Sequence, residues 1–498
     1  MMPRRTLAPA LVLVAALAAV ALLGCDGDEE AQRSATPADL SGREFVFADG
    51  RAFAAALAGQ AVTLTFGDFA ADGDGNPNTG PFSLVAAGDT AQGTVTVASC
   101  SFAIAASTFD PGTFPELQPE ETLPRECRVD AEGRLQVRDP ATDATSTSQP
   151  PSPAAAPPTT EVAFVLTSDF ATGSYSVIDL ATRRLFADIV LGGVHSDALA
   201  RAHQGRIYVV NRLGQDNIQI LDPAQGYTTV AQQSVEPGSN PQDIAFAAGK
   251  AYVSRLKSAE LLILDPDTLE ARGTIDLSGF TKPEDLDGVP ELYRMLVHEG
   301  LLYVLLQHLD FTTGFPVRRV APGEVVVIDP ASDSVVDVIP LNGTNPFSFL
   351  QFSPEVRGGR LLVSSVGDFG VLDGGIEAID PATGSVEFVV TEAALGGDIT
   401  HFQVISADKG FAVVTDASFL NALVAFNPTT GERLATLEGP RDDFMPHFAV
   451  NRRGELYLAV ADLETPTPEV LVFDTASDAE IARVRSGALP PVFVLFLE

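Results

Sequence analysis

The stretch Ile218-Gln219-Ile220-Leu221-Asp222-Pro223 decides the fold. It is a mostly β-branched apolar run that ends in Asp-Pro, and it recurs along the chain. Related endings are SVIDL with Asp179 and Leu180, ILDP at Asp265, VVIDP at Asp329, EAIDP at Asp380, VAFNP at Asn427 and LVFDT at Asp474. The seven anchors are spaced 43, 43, 64, 51, 47 and 47 residues apart. Such a period, with four strand-like runs in each repeat, is the mark of an all-β propeller with seven blades.

The anchor chemistry is that of a turn. Alternating β-branched residues favour a strand packed on both faces. The Asp carboxylate then takes up backbone N–H groups two residues on, and Pro presets φ for the turn. The anchor aspartates therefore read as structural, not as a catalytic carboxylate set. With strands lettered A to D outward from the channel, the anchor run is strand C. Strand B is a second recurring signal: VAFVLT at 162–167, RIYVVN at 206–211, KAYVSR at 250–255, LLYVLL at 301–306, RLLVSS at 360–365, FAVVTD at 411–416 and ELYLAV at 455–460. Strand A often opens after Pro, as in Asn240-Pro241 and Asn345-Pro346.

RIYVVN…NIQILDP at 206–223, followed by the Gly238-Ser239-Asn240-Pro241 entry, is similar to the repeat of the YVTN family of seven-bladed propellers. That resemblance implies the fold over 161–498. It leaves function open, because the family holds binding proteins and is related to lactonase, lyase and cofactor-bearing propellers. After Asp474 a further strand B would fall beyond Glu498, so VFVLFLE at 492–498 is an inner strand without a blade of its own. VAFVLT at 162–167 is a strand B without an inner partner. The two are expected to complete one blade, one strand from one end and three from the other.

Composition sets the context. The 498 residues carry a net charge of −35, with no Trp and 7% aromatic residues. So acidic a surface repels phosphate, and nucleic acid is excluded as a partner. Arg4 and Arg5 precede an apolar run from Leu7 to Leu23, followed by Gly24-Cys25. The run is short for a spanning helix and suits a signal peptide over 1–24. Leu22-Leu23-Gly24-Cys25 resembles a bacterial lipobox, which implies lipid attachment at Cys25 and extracytoplasmic anchoring to an envelope membrane. An ordinary secretory signal is the alternative. Residues 25–37 read as an acidic tether, 38–140 as a small antiparallel β sandwich or barrel, and 141–160 as a Pro/Ser/Thr linker reaching up to ~60 Å at ~3.1 Å per residue.

With Cys25 lipidated, Cys100 and Cys127 remain, and an exported protein is expected to join them in a disulfide. Asp72, Asp74, Asn76 and Asn78 alternate as in calcium loops, but Pro77 stands where the tight-turn Gly belongs and Ser83 where the bidentate Glu belongs. A solvated turn competes with a divalent cation there. No CxxCH, P-loop, dinucleotide fingerprint or GxSxG elbow occurs.

Two loop insertions fall in the fourth blade, around Gly279 to Glu291 and from Asp310 to Pro322. The second carries Phe311, Phe315, Arg318 and Arg319, a candidate partner loop. His195, Asp197, Asn240, Tyr293, Asn345, His401 and His447 sit at strand-A entrances near the channel mouth. Three of these are histidines at related positions, a possible divalent-metal set against the ordinary reading of hydrogen-bonded side chains. The chain reads as a monomeric, envelope-anchored module binding a protein or small ligand, and as non-enzymatic. The alternative is a lactonase-like hydrolase or lyase with a polar or metal site at the channel mouth.

Overall fold

The computed structural model describes residues 157–498 apart from 188, 190–192, 315–316, 463–467 and 488; before them it describes residue 140 and the strands named next. The chain divides into two compact units. In the first, Glu44–Phe47, Val62–Phe66, Thr79–Ala86, Asp89–Thr96, Ser101–Ile104 and Thr122–Pro124 form a six-stranded antiparallel meander in chain order. A second sheet runs in the order Arg33–Ser34, Glu126–Val129, Leu135–Arg138, Thr145–Thr147. The expected tether and linker thus each give up a short segment to this sheet. Thr145-Ser146-Thr147 is rich in β-branched residues and pairs with Arg138, Val137 and Gln136. Cys25, Asp72, Asp74, Asn76, Asn78, Cys100 and the side chain of Cys127 lie outside the described residues, as does the signal segment 1–24.

The second unit is a seven-bladed β-propeller. Six four-stranded antiparallel sheets follow chain order: blade 2 from Ala198 to Ser234, blade 3 from Pro241 to Asp276, blade 4 from Leu292 to Pro340, blade 5 from Gln351 to Thr391, blade 6 from Asp398 to Arg441 and blade 7 from Phe444 to Arg485. In the remaining sheet, Val162–Ser168, Gly173–Asp179 and Leu185–Phe186 are joined by Pro491–Leu497, whose Leu497, Leu495 and Phe493 stand opposite Val162, Phe164 and Leu166. The middle strands bury both faces, as in Arg206–Asn211 and Glu324–Asp329, whereas outer strands such as Thr228–Ser234 face water. Blade stacking is the reason: only the outermost strand lacks neighbours on its flanks.

The anchors behave as turn formers. Asp179 Oδ1 accepts from the N–H of Ala181 and Thr182, Asp265 Oδ1 from Asp267 and Thr268, and Asn427 Oδ1 from Thr429 and Thr430, all at 2.7–3.0 Å. In blades 2, 3 and 4 the A–B turns are two-residue hairpins with positive φ at both centres, as at Gln204-Gly205 (49° and 76°) and Glu299-Gly300 (47° and 80°). The recurring strand-B tyrosine links blades. Tyr208 donates to the carbonyl of Pro266, and Tyr252 donates to Asp333, both in the anchor turn of the next blade. The residue that opens strand B does the same with charge: Arg206 to Asp267, Lys250 to Asp333, Lys409 to Asp478. Arg453 carries the pattern from blade 7 to blade 1, donating to the carbonyl of Leu180 at 2.8 Å.

Candidate functional site

Where the inner strands meet, side chains from all seven blades come together in one cluster: Phe493, Arg201, Asp243, Arg294, Phe349, His401 and His447 in blade order. Phe349 precedes its short strand by two residues. The Arg201 and Arg294 guanidinium carbons each lie 4.4 Å from the centre of the Phe349 ring, a cation–π contact for both. Asp243, fully buried, takes two hydrogen bonds from Arg201 at 2.8 and 2.7 Å and one from the Met295 N–H at 3.0 Å. Arg294 donates to the Gln242 carbonyl, and its Nε has no partner. The His401 and His447 rings are 4.4 Å apart, and His447 stacks on Phe493 at 4.0 Å. Side chains therefore fill the channel at this level, leaving one arginine charge not matched by a carboxylate.

Of the residues expected at the channel mouth, His401 and His447 lie buried side by side among the inner strands. His401 Nε2 lies 2.9 Å from the Phe448 carbonyl, and the Val494 N–H donates to His447 Nδ1. His195 does not join them, correcting the three-histidine metal set: among the described residues no group of three potential ligands includes these histidines. His195 instead caps its own turn, its Nδ1 accepting from the Asp197 N–H at 3.2 Å, and Asp197 pairs with Arg212. Asn240 and Asn345 hold left-handed φ of 51° and 53°, ahead of Pro241 and Pro346. Their side chains accept from Gln242 and Gln307. These asparagines serve the strand entrance, since Asn tolerates that conformation better than most residues. Tyr293 packs on Arg294. A cleft of about 360 Å³ beside His195 is lined by Asn211, Asn217, Gln219 and Gln232, whose amides largely satisfy one another.

Burial pushes the His401 imidazole down to about 4, against the hydrogen bond to Phe448 and helped by the charge of Arg294. Burial also holds His447 well below its ordinary value, with His401, Arg201 and Arg294 adding to it. Both rings are neutral at pH 7. A base with a depressed folded-state pKa contributes its full stability above the unfolded value of about 6.5 and loses it as pH falls toward 4. Unfolding free energy should therefore drop between pH 6.5 and 4. His447→Phe, which keeps the stack on Phe493, should make that drop shallower when both proteins are unfolded in urea across the same range.

At one end of the ring, where strands B end and strands A begin, the two blade 4 insertions touch. Arg318 donates to the Glu284 carbonyl and to Asp310, and the Phe311 N–H donates to Asp287. Arg319 reaches Asp368 and Asp373 in the next blade. Arg318 and Arg319 are thus engaged with carboxylates and do not form a free basic patch. Phe315 lies outside the described residues. Among the described residues, the exposed large apolar side chains are distributed to one side. Phe170, Leu213, Leu286, Phe311, Phe369, Val371, Leu372, Phe419 and Phe444 all lie on loops or strand entrances of this end. The others, Val230, Val336, Phe388, Leu434 and Ile481, lie on outer strands, and none is on the opposite end. The one-sided crown was not foreseen; the sequence signal for it is a single apolar residue in each of several B–C loops.

No family model matches the chain, and no curated protein matches it. Solved structures resemble it distantly. They include the dihydro-heme d1 dehydrogenase NirN in complex with DHE, with 16% identity, a TM-score of 0.46 and coverage of 68% of this chain and 76% of that one. A functionally unknown protein from Desulfotomaculum acetoxidans DSM 771 has 14% identity and a TM-score of 0.45, covering 68% and 98%. Apo AztD from Citrobacter koseri has 13% identity and a TM-score of 0.43, covering 67% and 97%. This likeness reaches no further than the general fold.

Proposed function

We propose that the chain is an envelope lipoprotein, anchored through Cys25, whose propeller captures a partner protein on the end that carries the blade 4 insertions. The observation behind this reading is the crown of exposed apolar residues confined to that end. Monomeric soluble proteins seldom gather such residues without a binding role, and aromatic side chains dominate binding energy at interfaces. The hydrolase or lyase reading fits less well, because the channel histidines are neutral and engaged and Phe349 fills the space between the arginines. YVTN-type repeats, a Cys100–Cys127 disulfide in the N-terminal unit and ring closure through Pro491–Leu497 complete the picture.

Site-specific photo-crosslinking in cells tests it. A crosslinker at Phe311, Phe369 or Phe419 is expected to trap a discrete protein adduct, and one at Asp267 or Asp478, on the opposite turns, is not. Equal adducts at both sets, or adducts only at the second, refute the face. Cys25→Ala should abolish fatty-acid labelling and free the protein from the membrane; unchanged retention of the processed variant refutes the anchor.

A further inference from the structure

The insertion before blade 4 contains Asp285-Leu286-Asp287-Gly288-Val289-Pro290-Glu291, and ligand oxygens of Asp285, Asp287 and Glu291 lie within 4.8 Å of one another. Glu291 is 1% exposed and Asp285 8%, yet Glu291 Oε1 and Asp285 Oδ2 have no hydrogen-bond partner. Among the described residues no Lys or Arg pairs with any of the three. The nearby cations are committed elsewhere, Lys282 to Glu324 and Arg318 to Asp310.

We propose that Asp285, Asp287 and Glu291 bind a divalent cation of the hard, oxygen-preferring class, with Ca²⁺ as its best representative. Two buried carboxylate oxygens without donors are costly unless a proton or a metal ion satisfies them. An all-carboxylate set suits Ca²⁺ or Mg²⁺ rather than the nitrogen- and sulfur-preferring metals. Gly288, at φ 78°, lets the loop curl so that residues two and six positions apart converge. Solvent completes the coordination, as is common for these ions. The same carboxylates hold the partner loop, since Glu291 Oε2 accepts from the Leu309 N–H at 2.6 Å and Asp287 Oδ2 from the Phe311 N–H at 2.9 Å. Any effect of the ion on partner capture rests on the face proposed above; the site itself does not.

Calorimetric titration of the chelator-treated full chain with Ca²⁺, and separately with Mg²⁺, tests the site beside melting curves with and without each ion. Wild type should bind saturably and melt at a higher temperature with the ion. Asp285→Asn/Glu291→Gln should lose both responses, with affinity at least about tenfold weaker, while melting in chelator no lower than wild type. Glu291→Gln alone serves if the double variant does not fold. Asp72→Asn/Asp74→Asn should keep the wild-type response. Binding that survives the blade 4 changes, binding lost from the Asp72 variant instead, or no response to either ion overturns the assignment.

Discussion

Deleting residues 490–498 is expected to abolish cooperative unfolding of the propeller, not merely to lower its melting temperature by a few degrees. Pro491–Leu497 is the inner strand of a sheet whose other three strands lie more than 300 residues earlier. Its Phe493, Val494 and Leu497 are buried. At about 1.5–3 kcal/mol each, their burial contributes on the order of 5–9 kcal/mol, comparable with the whole stability of many domains. The deletion also exposes the hydrogen-bonding edge of Val162–Ser168 and removes the ring on which His447 stacks. Calorimetry should show a broad, low-enthalpy transition, with dye binding already at room temperature. A sharp transition within a few degrees of wild type would show that the blade tolerates three strands. Val336→Ser on an outer strand is the control and should cost less than about 0.5 kcal/mol.

Asp243→Ala should be the most damaging single substitution in the channel. It leaves Arg201 without its carboxylate, close to Arg294 over the shared Phe349 ring. Breaking one partner of a buried pair costs about 3–5 kcal/mol. Arg201 retains partial access to water, which places the loss near the lower end, about 3 kcal/mol. The Met295 N–H also loses its acceptor. Replacing both members, Arg201→Met with Asp243→Leu, should recover most of the loss in urea unfolding. A double variant no more stable than Asp243→Ala would show that the carboxylate matters for the backbone of Met295 and not for the arginine.

The blade count was legible in the sequence because each anchor writes the same chemistry twice: a β-branched run buried on both faces, then a side-chain oxygen that captures one or two of the N–H groups that follow. Asn427 breaks the spelling but keeps the acceptor, and the turn survives. The channel was less legible. Arg201, Asp243, Arg294 and Phe349 went unremarked because inner strands carry no repeating pattern. Their ladders also slip register, between Pro241 and Asp243 and between Leu292 and Met295, so channel-facing positions do not fall at a constant offset from strand B. The acidic cluster of the blade 4 insertion was visible as a loop of unusual length. That two of its oxygens would be buried without donors depends on the second insertion folding over it, which spacing alone does not reveal. The pairings of Arg318 and Arg319 are hidden for the same reason.

The blade that joins residue 162 to residue 497 has a consequence for timing. Val162–Ser168 emerges from synthesis long before the strand that lies beside it. During that interval, a strand buried on both faces in the finished ring has one edge open. Contacts so distant in sequence are slow to form and leave intermediates prone to association. A folding helper that shields strand edges would act on this chain late, when blade 1 alone is unfinished. Slow synthesis anywhere between residues 168 and 491 would lengthen the hazard.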